Sequence, residues 1–212
     1  MKPLYQVGKN MYLIGIAELA IYSFFRGDIG MTRPSYREEL QSINPALAYV
    51  SGAVLLICVL AVYLNKYRNV ALLTIANIIF WLVTTRHIFN LWRDHINGFK
   101  TLWLIGGAFL ILGASTEYQK HEKKVLFANA IILFLFFVDC GVAHFQYPGF
   151  VATLIPDFIP FHTFFTYFAA VCLIAGGVGL LIPQTRKLAA LLSGVQITGW
   201  FFLLHIPRAL TL

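Results

Sequence analysis

The sequence predicts an all-α fold: a polytopic membrane helical bundle of about seven transmembrane helices with a parallel internal duplication. Three observations carry that expectation. Of the 212 residues 59% are hydrophobic and only 12% charged, with a mean hydropathy of +0.74, outside the usual range of soluble domains. Seven apolar runs approach the length that spans a bilayer. Infrequent residues of those runs recur at a constant spacing along the chain.

Crossing about 30 Å of hydrocarbon takes roughly 20 apolar residues in a helix. The runs that come close are Met11 to Phe25, Leu47 to Leu64, Val70 to Phe89, Leu102 to Ser115, Val125 to Phe145, Phe164 to Ile182 and Leu188 to Leu204. The first and fourth are the shortest. Met1 to Asn10 is polar and no small-residue cleavage site follows the first run, so that run is expected to remain as an anchor. Cys58, Cys140 and Cys172 fall inside apolar runs without C-x-x-C spacing and read as buried small hydrophobes.

A net charge of +7 invites a nucleic-acid partner, but the basic residues are dispersed through short loops, which argues against one. The expected partner is the lipid bilayer. Alternate connections carry nine Lys and Arg on the N-terminal side (Lys2, Lys9, Lys66, Arg68, Lys120, Lys123, Lys124, Arg186, Lys187) and seven on the other. Seven of the eight lysines are on the N-terminal side, so the N-terminus is expected inside and the C-terminus outside. His87, His95, His144, His162 and His205 then lie at or beyond the outer face, with His121 inside.

At an offset of 118 residues, Tyr49 pairs with Tyr167, Arg68 with Arg186, Ala71 with Ala189 and His87-Ile88 with His205-Ile206. Upstream the offset is 121, pairing Phe24 with Phe145 and Glu18 with Asp139. Tyr, Arg and His are scarce in spans, so their matches carry more than matches of Leu or Ile. The connection from Arg26 to Asn44, with a capping-box pattern at Ser35-x-x-Glu38, absorbs the change of offset. Its counterpart, Gln146 to Pro160, is apolar but punctuated by Pro148, Gly149, Pro156 and Pro160, so it lies in the interface or folds over the bundle. A lid and a membrane-surface anchor are equal readings of it. A three-span unit with the fourth run between copies leaves both copies in one orientation, unlike the inverted repeats common in transporters.

Glu18 and Asp139 lie roughly 9 to 11 Å along the helix from its outer end, at 1.5 Å per residue. An unpaired carboxylate there costs about 3 kcal/mol, so each is protonated, paired or facing a polar cavity. They are the candidate catalytic groups, holding or relaying protons or hydrogen bonds. Packing between helices is the plainer reading. His87 and His205 close the third span of each copy, with Asn90 and Arg208 on the same helical face three residues later. Together with His144 and His162 they are candidate cofactor or partner contacts: such groups bind a metal, ligate haem, hydrogen-bond a quinone carbonyl, or satisfy helix-terminal carbonyls. Asp139 and His144 sit about 140° apart on one helix. No H-x-x-x-H, E-x-x-H or cysteine set appears, so there is no dedicated metal motif. Trp81, Trp92, Trp103 and Trp200 read mainly as interfacial belt residues. Phe161, Phe164, Phe165 and Phe168 are lipid-facing or core residues in one reading and the lining of a pocket for a flat hydrophobic ligand in the other.

The stretch Ala143-His144-Phe145-Gln146-Tyr147-Pro148-Gly149-Phe150, continuing to Pro156-Asp157-Phe158-Ile159-Pro160, resembles the outer loop of DoxX-like bacterial membrane proteins. So does Arg186-Lys187-Leu188-Ala189-Ala190 leading to Leu204-His205-Ile206-Pro207-Arg208. In that family the His-Ile-Pro-Arg-like end is followed by a loop and a helix opened by Lys and a Gly pair, which here follows the first copy as Lys100 to Gly106-Gly107-Ala108. The resemblance covers most of the chain. It implies a four-helix unit over residues 1–116 followed by a truncated three-helix unit over 117–212, in a multi-pass protein of the bacterial inner membrane. Two positions depart from the pattern: Phe89 stands where the second copy has Pro207, and Ala143 stands where Glu is expected before His-Phe.

The family takes its name from a thiosulfate:quinone oxidoreductase subunit, and most members have no assigned activity. The resemblance therefore implies a redox- or quinone-associated membrane subunit with an outward-facing polar pocket, contacting other subunits of a membrane complex; its cofactor stays open, quinone and haem being the candidates the histidines allow. Whether it is itself an enzyme stays open, because a scaffold is not a mechanism. Missing paired cysteines argue against thiol exchange, and a missing nucleotide-binding loop argues against a dehydrogenase on this chain. Two alternatives remain: a binder or carrier of a small lipid-like molecule, and a non-catalytic structural subunit.

Overall fold

In an apolar solvent a chain must satisfy its own backbone N–H and C=O groups, and a helix does so within one segment. The computed structural model describes residues 2–28, 45–82, 84, 95–114 and 119–207, and all regular structure among them is helical. The helices are α1 (Lys2–Arg26), α2 (Pro45–Tyr63), α3 (Arg68–Leu82), α4 (His95–Gly113), α5 (Glu122–Gln146), α6 (Pro148–Ala152), α7 (His162–Leu181) and α8 (Arg186–Trp200). A 3₁₀ turn, Gln119–His121, leads into α5, and α8 runs on into a π-helical turn, Phe201–His205.

Among the described residues, α2, α4, α5, α7 and the segment Arg186–His205 are long and apolar enough to cross a membrane. Among the described residues the chain is all-α and has the long apolar helices of a membrane protein. Helix α3, at 15 residues, is apolar but shorter, and α1 has 25 residues whose apolar content is diluted by Lys9, Glu18 and Arg26. The fourth apolar run is longer than its sequence suggests. Helix α4 begins seven residues before Leu102, because His95, Asn97 and Lys100 are polar yet compatible with helix, and it reaches 19 residues.

The chain divides into two compact units, Met1–Asn129 and Ala130–Leu212, with the division inside α5. The boundary expected near residue 116 lies outside the described residues.

In the first unit, Leu13, Ile16 and Ala20 recur at helical spacing on α1 and meet Leu55, Cys58 and Val62 of α2. The same buried cluster continues through Leu72, Ile75, Ala76 and Ile79 of α3 to Ala108, Ile111 and Leu112 of α4. Large side chains such as Ile14, Ile21, Ile57 and Leu60 are exposed on the other faces, which suits lipid rather than water. Helices α1 and α2 cross closely at a small residue: a Cβ on Gly52 would stand 2.9 Å from the Ala20 carbonyl oxygen. Tyr12 ties α1 to α4 by donating its hydroxyl to Leu104 O at 3.0 Å, and the ring lies where a Cβ on Gly107 would point.

In the second unit, Ala130 and Phe137 of α5 pack with Leu173 and Leu180 of α7 and Ala189 of α8. Here Gly141 is the small residue at the crossing, its Cβ position 2.9 Å from the Ala170 carbonyl oxygen and 2.6 Å from Ile174. Gly176 and Gly179 let α8 approach α7 at Ser193 and Ala189. The short α6 packs along α7.

Helix ends are closed by different chemistry in the two units. At the end of α2, Asn65 takes a left-handed conformation (φ 58°), with Lys66 N donating to Ala61 O and Asn65 N to Val62 O, a Schellman closure. At the end of α7 the side chains do the work. Arg186 donates Nε to Leu180 O at 2.8 Å and Nη2 to Leu181 O at 3.2 Å, while the Thr185 hydroxyl reaches Gly179 O at 2.9 Å. A cation on the last carbonyls also opposes the negative end of the helix dipole.

Candidate functional site

The candidate site of the second unit is built from the end of α5. His144 closes that helix with Nδ1 2.7 Å from Cys140 O, one turn back. A carbonyl only accepts, so Nδ1 carries the proton and donates it. With the ring neutral, Nε2 is the lone-pair nitrogen at the other edge. The ring is half-buried and stacks on Trp200, centroids 6.2 Å apart and planes 18° from parallel. The contact joins the last turn of α5 to the last residue of α8, because Gly176 and Gly179 bring α8 onto α7 beside α5.

Immediately beyond Trp200 the helix widens into the π-turn. Such turns replace the i to i−4 ladder locally, and they recur at functional sites. Pro207, which has no N–H to give to the preceding turn, follows it. His205 is the last residue of the π-turn and is exposed. Asp139 is half-buried on α5, and both it and His205 have interaction partners. His162 opens α7, half-buried, and its carbonyl accepts the Thr166 hydroxyl at 2.9 Å.

Aromatic residues line the same end. Phe145 stacks on Tyr167 with centroids 5.6 Å apart, and Phe164 stacks on Phe168 at 5.9 Å. Phe161 precedes α7 with φ 58° and is 78% exposed, an unfavourable backbone for a bulky residue at the loop's return into the helix. Along the loop, Val151, Leu154, Ile155 and Ile159 are half-buried, whereas Tyr147, Phe150 and Phe158 are exposed. The loop thus lies with one side on the bundle and its aromatic rings outward.

In the first unit, Phe24 stacks on Tyr49, centroids 6.1 Å apart and planes 6° from parallel. Ser23, which the offset of 121 pairs with His144, is buried and donates its hydroxyl back along α1 to Leu19 O at 2.9 Å. Glu18 is exposed on α1, away from the Leu13, Ile16 and Ala20 stripe. The sequence assigned Glu18 and Asp139 like surroundings; within their own units one is exposed and the other half-buried. His87 and Arg208 lie outside the described residues, as does the Ser35-x-x-Glu38 pattern.

The sequence reading passed over three polar groups. Trp200 was taken for a membrane-belt residue, and its proximity to His144 follows only from how α8 packs. Asn129 is buried, gives Nδ2 to Val125 O at 2.9 Å and presents Oδ1 to Gly106 where a Cβ would stand. Its Oδ1 and Trp103 Nε1 are buried without hydrogen-bond partners. An amide within the run Val125 to Phe145 was the available signal. Among the described residues no three His, Cys, Asp or Glu side chains converge as a metal-ligand set.

A family model described as a domain of unknown function (DUF8561) matches residues 133–210, close to the extent of the second unit and less than half of the chain. Comparison with curated proteins and with solved structures finds no match.

Proposed function

We propose that the chain is a DoxX-like, seven-span protein of the bacterial inner membrane, made of two like-oriented copies of one helical unit, in which the second copy binds the headgroup of a quinone. The duplication is supported by internal geometry. The residues matched at offsets of 121 and 118, Phe24 with Phe145 and Tyr49 with Tyr167, form a stacked pair in each unit. Helices α3 and α8 have 15 residues each and start at the matched Arg68 and Arg186. Both are followed by π-helical backbone, at Thr84 and at Phe201–His205. Glycine changes sides but not level at the close crossing: Gly52 lies against Ala20, and Gly141, the match of Ala20, lies against Ala170, the match of Gly52. One spacer helix, α4, between two three-helix copies gives them the same orientation, and the lysine bias sets the N-terminus inside.

The single observation that carries the binding reading is the His144–Trp200 pair. A quinone headgroup is planar and bears two carbonyl oxygens; it needs an aromatic face and a hydrogen-bonding edge. Trp200 supplies the first. His144 supplies the second through Nε2, because Nδ1 is committed to Cys140 O. When protonated the ring donates to a quinone oxygen; when neutral it accepts from a quinol hydroxyl. Asp139, nearly a turn and a half earlier on α5, is the group proposed to exchange that proton, and His205 and His162 are the remaining proposed contacts to the headgroup or to a partner subunit. Electrons come from another protein.

The test is gentle purification in mild detergent, with extraction and mass spectrometry of bound small molecules and a visible spectrum. The proposal expects a quinone, depleted in His144→Ala and in Trp200→Ala. A quinone retained unchanged by both variants overturns the site, and a bound acyl lipid in place of quinone supports the carrier alternative. A haem band assigns the histidines to metal ligation instead.

A further inference from the structure

Within the first unit, α4 and the first turns of α5 hold a buried donor and a buried acceptor that do not meet. Trp103 Nε1 and Asn129 Oδ1 are both buried, and neither has a hydrogen-bond partner. Both border Gly106: Asn129 Oδ1 lies where a Cβ on that glycine would stand, and Trp103 Cδ1, the ring atom bonded to Nε1, is 3.7 Å from the same position. The amide is fixed in this sense because its other end is committed. Its Nδ2 donates to Val125 O at 2.9 Å, which leaves Oδ1 as the atom aimed at α4. Asn129 is only 5% exposed, so bulk water does not serve it. The neighbouring hydroxyls bond elsewhere, Thr101 to Asn97 O and Tyr12 to Leu104 O. Gly106 stands seven residues before the end of α4, about 10 Å into the span at 1.5 Å per residue, where an unsatisfied amide or indole has no solvent to turn to.

We propose that Trp103 and Asn129 form a binding site for a single hydroxyl group between α4 and α5. The class of ligand follows from the two atoms. One is an indole N–H, which only donates, and the other an amide oxygen, which only accepts. A carbonyl or carboxylate oxygen would satisfy the indole and repel the amide oxygen. An ammonium would satisfy the amide oxygen and repel the indole. A hydroxyl serves both, since its oxygen accepts from Nε1–H while its proton goes to Oδ1. Gly106 keeps the site in being, because any side chain there would take the place of Oδ1. A water molecule and an alcohol dissolved in the membrane offer the same group, and a bridge through a hydroxyl of this kind is nearly as favourable as a direct bond. The site uses neither His144 nor Trp200 and does not rest on the quinone reading.

The test reads the Trp103 indole proton in the full-length protein, labelled with nitrogen-15 tryptophan in detergent micelles and assigned by the signal lost in Trp103→Phe. The proposal expects a nuclear Overhauser cross-peak from that proton to a hydroxyl proton from outside the chain, and loss of the cross-peak in Asn129→Leu. A cross-peak at the water frequency alone identifies water as the ligand. Accompanying cross-peaks to carbon-bound protons foreign to the protein identify an alcohol. Should Asn129→Leu fail to fold, Asn129→Ala takes its place, and the unsubstituted protein is decisive on its own. An indole proton with cross-peaks to protein protons alone overturns the inference, because the two groups then bond directly or not at all. A hydroxyl cross-peak left unchanged by substitution of Asn129 overturns it as well.

Discussion

Tyr49 lies on Phe24 with the two rings 6° from parallel, and Tyr167 lies on Phe145 with centroids 5.6 Å apart. An offset-stacked pair contributes about 0.5–1.5 kcal/mol beyond the area it buries. Double-mutant cycles to Leu at each pair, followed by reversible unfolding in mixed detergent micelles, should give coupling of that order in both units.

Gly52 lets α1 and α2 approach closely, with the Ala20 carbonyl and the Phe24 ring where a Cβ would intrude. Gly52→Ala should therefore destabilise by about 1–3 kcal/mol, the usual cost of overpacking. Gly8→Ala, at a helical glycine with nothing within 4 Å of the added atom, should raise stability by up to about 1 kcal/mol. Melting temperatures of the two variants in one detergent should move in opposite directions.

Arg186 closes α7 with two nitrogens on two carbonyls. Substitution to Lys keeps the charge and loses the fork, so most of the loss seen in Arg186→Ala should persist in Arg186→Lys. Bonds to a charged donor are worth about 1.5–3 kcal/mol each. Amide exchange at Gln184 to Lys187 and the melting temperature together check this, with faster exchange expected in both variants.

Tyr12→Phe removes a hydroxyl that bonds Leu104 O while leaving the ring against Gly107. A loss of about 0.6–2 kcal/mol is expected, the range for hydrogen bonds between membrane helices. Gly107→Ala, which displaces the ring itself, should cost more in the same unfolding assay.

The runs of apolar residues foretold the helices because the bilayer imposes length and apolarity together. Their ends were less legible. His95, Asn97 and Lys100 are polar and hid the first two turns of α4, while Lys9 and Glu18 hid how far α1 extends towards the N-terminus. The offsets pair Phe24 with Phe145 and Tyr49 with Tyr167, yet spacing does not say that each Phe touches each Tyr, since that depends on the small-residue crossings at Gly52 and Gly141. His144 was legible as a candidate from its place at the end of a span. Trp200 was not, because a tryptophan near a helix end has the same sequence signature whether it faces a headgroup layer or a histidine.

Binding at the His144–Trp200 pair is the central claim, and Trp200 is its own reporter. In a variant with Trp81, Trp92 and Trp103 changed to Phe, titration with a short-chain quinone in detergent should quench the remaining Trp200 fluorescence to saturation. His144→Ala in that background should abolish the saturable component. Quenching that rises linearly with quinone and is the same with and without His144 would contradict the claim.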